Sequence, residues 1–154
     1  MRELLQEHDI ESKIIPYSEG RASLVAEIGN GNGPVIGFDG HEDTVSLGDV
    51  SKWTHHPLSA TVTEDGKMYG RGTTDMKSGL VAAVVAMINL KESGLPLNGT
   101  VRLLATVGEE KGELGAGQLA ELGYADDMEA LVVCEPTGGD FTTLQQMKGT
   151  FPLD

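Results

Sequence analysis

Read as a pattern of apolar and polar positions, the chain alternates between short runs suited to strands and longer runs suited to helices. The first ten residues, MRELLQEHDI, place Leu4, Leu5 and Ile10 as in the end of an amphipathic helix. SLVAEIG (23–29) and PVIGFDG (34–40) predict two strands joined by the turn NGNG. SATVTEDGKMYG (59–70) alternates about Asp65-Gly66, a hairpin signal. From Lys77 to Ser93 the segment KSGLVAAVVAMINLKES is almost wholly apolar and rich in alanine, with Gly94 and Pro96 following as stop signals. It predicts a buried helix closed by glycine. TVRLLATVGEE (100–110) reads as a strand running into acid, ELGAGQLAELG (113–123) as a short helix, and EALVVCEPTGG (129–139) as another strand running into acid.

Strands and helices in that alternation predict crossover connections. The expected fold is α/β: three layers, with a mixed, largely parallel sheet and flanking helices. Three apolar strands end in acidic or histidine residues: at His41 and Asp43, at Glu109 and Glu110, and at Glu135. In open α/β sheets the site lies beyond the carboxyl ends of the strands, so these residues are expected to converge.

Composition narrows the reading. A length of 154 residues suits one domain, and 21 glycines call for many tight turns. A formal charge of −13 would repel a phosphate backbone, so no nucleic-acid partner is expected. No apolar run approaches the roughly 20 residues needed to span a bilayer, so no membrane partner is expected either. Cys134 is the only cysteine and cannot form an intrachain disulfide. The charged start does not fit a signal peptide, and a cytoplasmic location is the resulting expectation.

Each acidic element has a plain reading and a chemical one. In an extended segment His41 and Asp43 share a face, which fits a ligand and its carboxylate neighbour, but equally a loop. Asp75, approached through Gly70 and Gly72, is either a metal ligand or the cap of the following helix. Glu109 and Glu110 end a core strand and are expected to face opposite ways, so that one binds metal while the other carries a proton, unless they simply begin a helix. Glu135 alone would be solvated. Cys134, turned to the other face, reads as core. His8, His55 and His56 read as surface residues. Jointly, carboxylates converging without a cation would repel, at about 1–4 kcal/mol for a pair 4 Å apart. Divalent ions such as Zn, Co or Mn relieve that repulsion.

GHEDTV, YGRGTTDMKSGL, TVGEEKGELGA and VVCEPT, in this order and spacing, resemble a zinc-dependent deacylase and peptidase family. That family contains succinyl-diaminopimelate desuccinylase, acetylornithine deacetylase and carboxypeptidase G. The resemblance covers roughly residues 20 to 140. It implies two divalent metal ions, with His41, Asp75, Glu110 and Glu135 as ligands and Asp75 between the ions. It implies Asp43 as the carboxylate that orients His41, Glu109 as the general base, and a cis peptide after Asp75. The activity it implies is hydrolysis of the amide of a small N-acyl amino acid, N-succinyl-diaminopimelate before N-acetylornithine, and peptides third.

Members of that family run to more than twice this length and carry a lid and dimerisation domain, with a last histidine ligand beyond it. The resemblance therefore implies that residues 1–154 are a partial zinc-peptidase-like catalytic domain, with the lid and the homodimer interface missing. All four histidines precede residue 57. Such a chain is expected to have weak or no activity and to hold one ion or none in place of two, and a fragment that folds or binds metal without turnover is the alternative reading.

Overall fold

The computed structural model describes residues 1–137. Its centre is a five-stranded sheet in the order β1-β2-β6-β3-β7. The strands are β1 (Ser12–Ser18), β2 (Arg21–Gly29), β3 (Val35–His41), β6 (Thr100–Thr106) and β7 (Met128–Val133). A separate two-stranded hairpin, β4 (Thr61–Val62) and β5 (Met68–Tyr69), turns at Asp65-Gly66. Helix α1 is Arg2–Glu7, α2 is Ser78–Glu92 and α3 is Leu114–Glu121.

Alternation along β2 and β6 sends side chains into two separate cores. Leu24, Ala26, Ile28, Leu103 and Ala105 meet Leu5 of α1 and Leu80, Val84, Met87 and Ile88 of α2 on one face. Val25 and Leu104 meet Leu119 of α3 on the other. The expected three layers are thus present. Burial on both faces also explains why the LLA of β6 reads as a continuous apolar run rather than an alternating one.

The sheet is mixed. β3 pairs in parallel with β6 and β7, whereas β1–β2 and β2–β6 are antiparallel. The strands flanking NGNG are consecutive but do not pair, because β6 lies between them. β6 is buried on both faces over residues 102–106 and takes the position with most cover. Strand β1 lies outside the expected elements. It is an edge strand, mostly exposed, and Pro16 within it weakens the strand signature.

The connections fix where a site can form. The chain leaves β3 through α2 on one face and leaves β6 through α3 on the other. The two connections diverge at the carboxyl ends of these neighbouring strands, the place where open α/β sheets carry their sites. Among the described residues no helix is long and apolar enough to cross a membrane. The strand expected over 129–139 ends at Val133, and Gly138 and Gly139 lie outside the described residues, as does everything after them.

Candidate metal centre at the strand ends

His41 is the last residue of β3, and its side chain is 1 % exposed. The ring is gripped on both nitrogens. Nδ1 lies 2.9 Å from the main-chain oxygen of Asp43. A carbonyl only accepts, so Nδ1 carries the proton, and in the neutral ring the Nε2 lone pair points outward. It points at acid: Asp75 Oδ1 is at 3.1 Å, Glu135 Oε1 at 3.5 Å and Glu109 Oε2 at 3.7 Å.

That arrangement asks for a cation. Burial opposes charge on His41, but the Asp75 hydrogen bond, the Asp43 carbonyl and the charges of Glu135 and Glu109 outweigh it and hold the imidazole pKa above its usual value. Burial pushes the Glu109 carboxyl up, and Glu110, Asp75 and Asp43 add to the rise while His41 opposes it. Glu135 is raised by burial and by Asp75, Glu109 and Glu110, again against His41. Protons and divalent ions compete for such a cluster. One atom each from His41, Asp75 and Glu135 can be chosen within 4.8 Å of one another, and likewise from His41, Glu109 and Glu110. One imidazole with four carboxylates suits Zn, Co or Mn, so the donor set fits a divalent ion.

Each ligand candidate is delivered by a different local device. Asp75 sits in an irregular turn just before α2, and its peptide bond to Met76 is cis. Its side chain caps nothing at α2, so the capping alternative does not hold. Glu135 comes just after β7, where the Cys134 amide donates to the Asp39 carbonyl at 2.9 Å and carries the β3 pairing beyond the strand. Helix α2 approaches that segment so closely that a Cβ on Gly79 would lie 2.0 Å from the Cys134 oxygen. Cys134 is half-buried against the α2 core, and burial pushes its thiol up to about 11, which leaves it an inert core group.

Glu109 and Glu110 differ from expectation in their placement. Strand β6 stops at Thr106, and Gly108, at φ 76°, turns the chain into a short 3-10 turn over Glu109–Lys111. Strand alternation therefore does not apply, and both carboxylates reach the neighbourhood of His41. Asp43 contacts His41 as expected and also reaches the turn after β6. Its carboxylate lies 3.6 Å from Nδ1 of His41, and its hydrogen bonds go elsewhere: Oδ1 accepts from the Gly108 and Glu109 amides, and Oδ2 from the Glu110 amide.

Three neighbours to which the residue pattern assigns no site role lie beside the cluster. The Met76 sulfur accepts from the His41 amide at 3.0 Å. Lys77 Nζ donates to the Glu42 carbonyl at 2.6 Å and so ties the Asp75 segment to the His41–Asp43 segment. Asp39 is half-buried, its Oδ1 is shielded from solvent without a hydrogen-bond partner, and desolvation raises its pKa to about 6. A lysine two residues after the candidate ligand was the available signal for Lys77. The other three histidines stand apart from the cluster: His8 pairs with Glu92, His55 packs on Tyr69, and His56 accepts from the Leu58 amide.

The same stretch of chain is what a family-wide comparison detects. The sequence model of Peptidase family M20/M25/M40 matches residues 37–148, from the middle of β3 to beyond Glu135. The chain belongs to Peptidase family M20/M25/M40. Among curated relatives of this family member, a probable succinyl-diaminopimelate desuccinylase of Staphylococcus epidermidis is 52% identical over 137 residues, covering 89% of this chain and 33% of the relative. The Staphylococcus aureus protein of the same description is 49% identical over 138 residues, covering 90% and 34%. The chain thus spans about a third of the length of these relatives.

Solved structures share the fold. The M20 family metallo-carboxypeptidase Sso-CP2 of Sulfolobus solfataricus superposes with a TM-score of 0.74 at 24% identity, covering 86% of this chain and 30% of that one. Human carnosine dipeptidase 1 gives 0.72 at 21%, covering 86% and 30%. A Bacillus subtilis protein described as a dinuclear metal binding peptidase from the M20 family gives 0.54 at 22%, covering 86% and 34%.

Proposed function

We propose that residues 1–154 are part of the catalytic domain of a metal-dependent amidohydrolase that cleaves the amide of an N-acylated amino acid. N-succinyl-diaminopimelate is the first substrate, ahead of N-acetylornithine and small peptides. The observation that carries this reading is Nε2 of a buried His41 lying within 3.7 Å of carboxylate oxygens of Asp75, Glu135 and Glu109 at the strand ends. The substrate choice is supported by the description of the staphylococcal relatives. Two ions, Zn first and Co or Mn as alternatives, are supported by the description of the Bacillus subtilis peptidase. A single cysteine needs no oxidising compartment, in keeping with cytoplasmic action.

In this reading His41, Asp75, Glu110 and Glu135 would hold the ions. When bound, the ions supply Lewis acidity toward the amide carbonyl and a water acidic enough to ionise near neutral pH. The Asp43 carbonyl keeps the proton of His41 on Nδ1 and so leaves Nε2 free to ligate. Glu109 accepts the proton of the attacking water on its carboxylate. It then returns that proton to the nitrogen as the C–N bond breaks.

A second reading has the same centre binding metal without turnover. It is favoured by the sharing of one imidazole, His41, between both candidate ligand groups. Release of free amine from N-succinyl-diaminopimelate and N-acetylornithine, with added Zn or Co, decides between the two. Hydrolysis of the succinyl compound that vanishes in Glu109→Ala is the expected result. Turnover of the acetyl compound alone would overturn the substrate choice. Metal binding with no turnover would favour the second reading.

A further inference from the structure

We infer that Asp43 is a positioning residue for Glu109 and Glu110, acting through a carboxylate clamp on the turn that carries them. The inference rests on the metal-site reading above.

The clamp joins residues 65 to 67 positions apart in the chain. Asp43 Oδ1 accepts the Gly108 amide at 2.9 Å and the Glu109 amide at 3.2 Å, while Oδ2 accepts the Glu110 amide at 3.3 Å. Hydrogen bonds to an ionised acceptor are stronger than neutral ones, and here three converge on one side chain. The left-handed conformation of Gly108 at the start of the turn lets successive N–H groups point into one concavity. Such a nest binds anions, and in this chain it takes the protein's own carboxylate.

The contact is reciprocal. Glu110 Oε1 accepts the Val45 amide at 3.1 Å, and the Glu42 amide donates to the Thr106 carbonyl at 2.9 Å. The segment after β3 and the segment after β6 are therefore stitched together on both sides of Asp43. His41 Nδ1 is nearest the Asp43 main-chain oxygen, at 2.9 Å, with the side-chain carboxylate farther off at 3.6 Å. The residue divides its labour: the backbone carbonyl orients the imidazole, and the side chain sets where the two glutamates begin. Displacements below an ångström at such groups are enough to degrade a site.

The test uses the 154-residue chain as wild type, Asp43→Asn and Asp43→Ala. Hydrogen exchange of the Gly108, Glu109 and Glu110 amides is followed by NMR without metal, and Co2+ is then titrated and read from its visible absorption. Asn offers one acceptor oxygen and sets an NH2 against the remaining amide, so it is the milder variant should Ala not fold. The expected result is faster exchange at these amides in both variants, by about tenfold or more, with an unchanged His41 Nδ1–H resonance. Co2+ affinity should fall by about 10- to 100-fold, as for other groups that orient ligands. Unchanged exchange would overturn the clamp. Faster exchange with intact Co2+ affinity would overturn the positioning role, and so would protected amides with a shifted His41 resonance. A wild-type chain that protects the amides yet binds no Co2+ would instead defeat the metal-site reading, and the positioning role with it.

Discussion

Asp75 Oδ1 and His41 Nε2 stand 3.1 Å apart, joining the end of β3 to the turn that opens α2 across 34 residues of sequence. With Nδ1 committed to the Asp43 carbonyl, this contact is satisfied only by a proton on Nε2 or by a cation between the two groups. The competition between proton and metal is the basis of the first prediction.

Without metal, the chain should lose stability as pH rises. His41, Asp39, Glu109 and Glu135 all have folded pKa values above their ordinary ones. Such groups stabilise below the unfolded pKa, and that stabilisation is lost as pH climbs through the folded value. For Asp39 the window runs from the ordinary 3.8 to about 6, worth up to about 3 kcal/mol. His41 extends the loss above 6.5. Asp127, held below the usual range by Arg102, works the other way and is lost only in stronger acid. Thermal unfolding in chelator should therefore give a lower midpoint at about pH 8 than at about pH 5. With Zn2+ in excess the difference should shrink or reverse. A chelated chain that is more stable at the higher pH would contradict this electrostatic account.

Glu109 and Glu110 should separate by metal affinity. Glu110→Gln and Glu135→Gln remove ligands and should each weaken Co2+ binding by more than about tenfold, whereas Glu109→Gln should stay within a few-fold of wild type. Calorimetric titration measures all three. Equal losses at Glu109 and Glu110 would mean that Glu109 is a ligand and not a free base.

Gly79→Ala tests how Glu135 is delivered. Alanine is normally the better helix residue, by about 1 kcal/mol. Here its Cβ would meet the Cys134 carbonyl at 2.0 Å. The substitution should destabilise the chain by about 1–3 kcal/mol as α2 or the Cys134–Glu135 segment shifts, and metal affinity should fall with it. Unfolding in urea and Co2+ titration of the variant check both effects.

Arg102 supplies the contrast. On β6 it bonds Glu27, Asp127 and the Tyr124 carbonyl, packed at 8 % exposure on the sheet face that carries α3. Arg102→Ala should cost about 2–3 kcal/mol through lost charged hydrogen bonds and packing, yet leave metal affinity unchanged. Urea unfolding beside Co2+ titration would show it, and a large loss of affinity would mean that the strand-end site depends on the far face of the sheet.

Much of this site is legible along the chain because strands ending in acid or histidine are a local signal. PVIGFDGH, TVRLLATVGEE and ALVVCE each pair an apolar strand with the polar residues at its carboxyl end, and parallel pairing then gathers those ends. Contacts between residues far apart in sequence stay hidden. Gly108 takes Glu109 and Glu110 off the strand, so alternation misplaces them. The Asp43 clamp spans 65 residues or more and has no periodicity to betray it. Strand β1 is missed because an exposed edge need not alternate, and the NGNG strands are parted by β6, a strand that enters from much later in the chain.

The most direct test of the central claim is titration of the 154-residue chain with Zn2+ by calorimetry, beside His41→Ala. The account predicts saturable binding of at least one ion with proton release, lost or greatly weakened when His41 is removed. Absence of binding, or binding indifferent to His41, would contradict a metal centre at the ends of β3, β6 and β7.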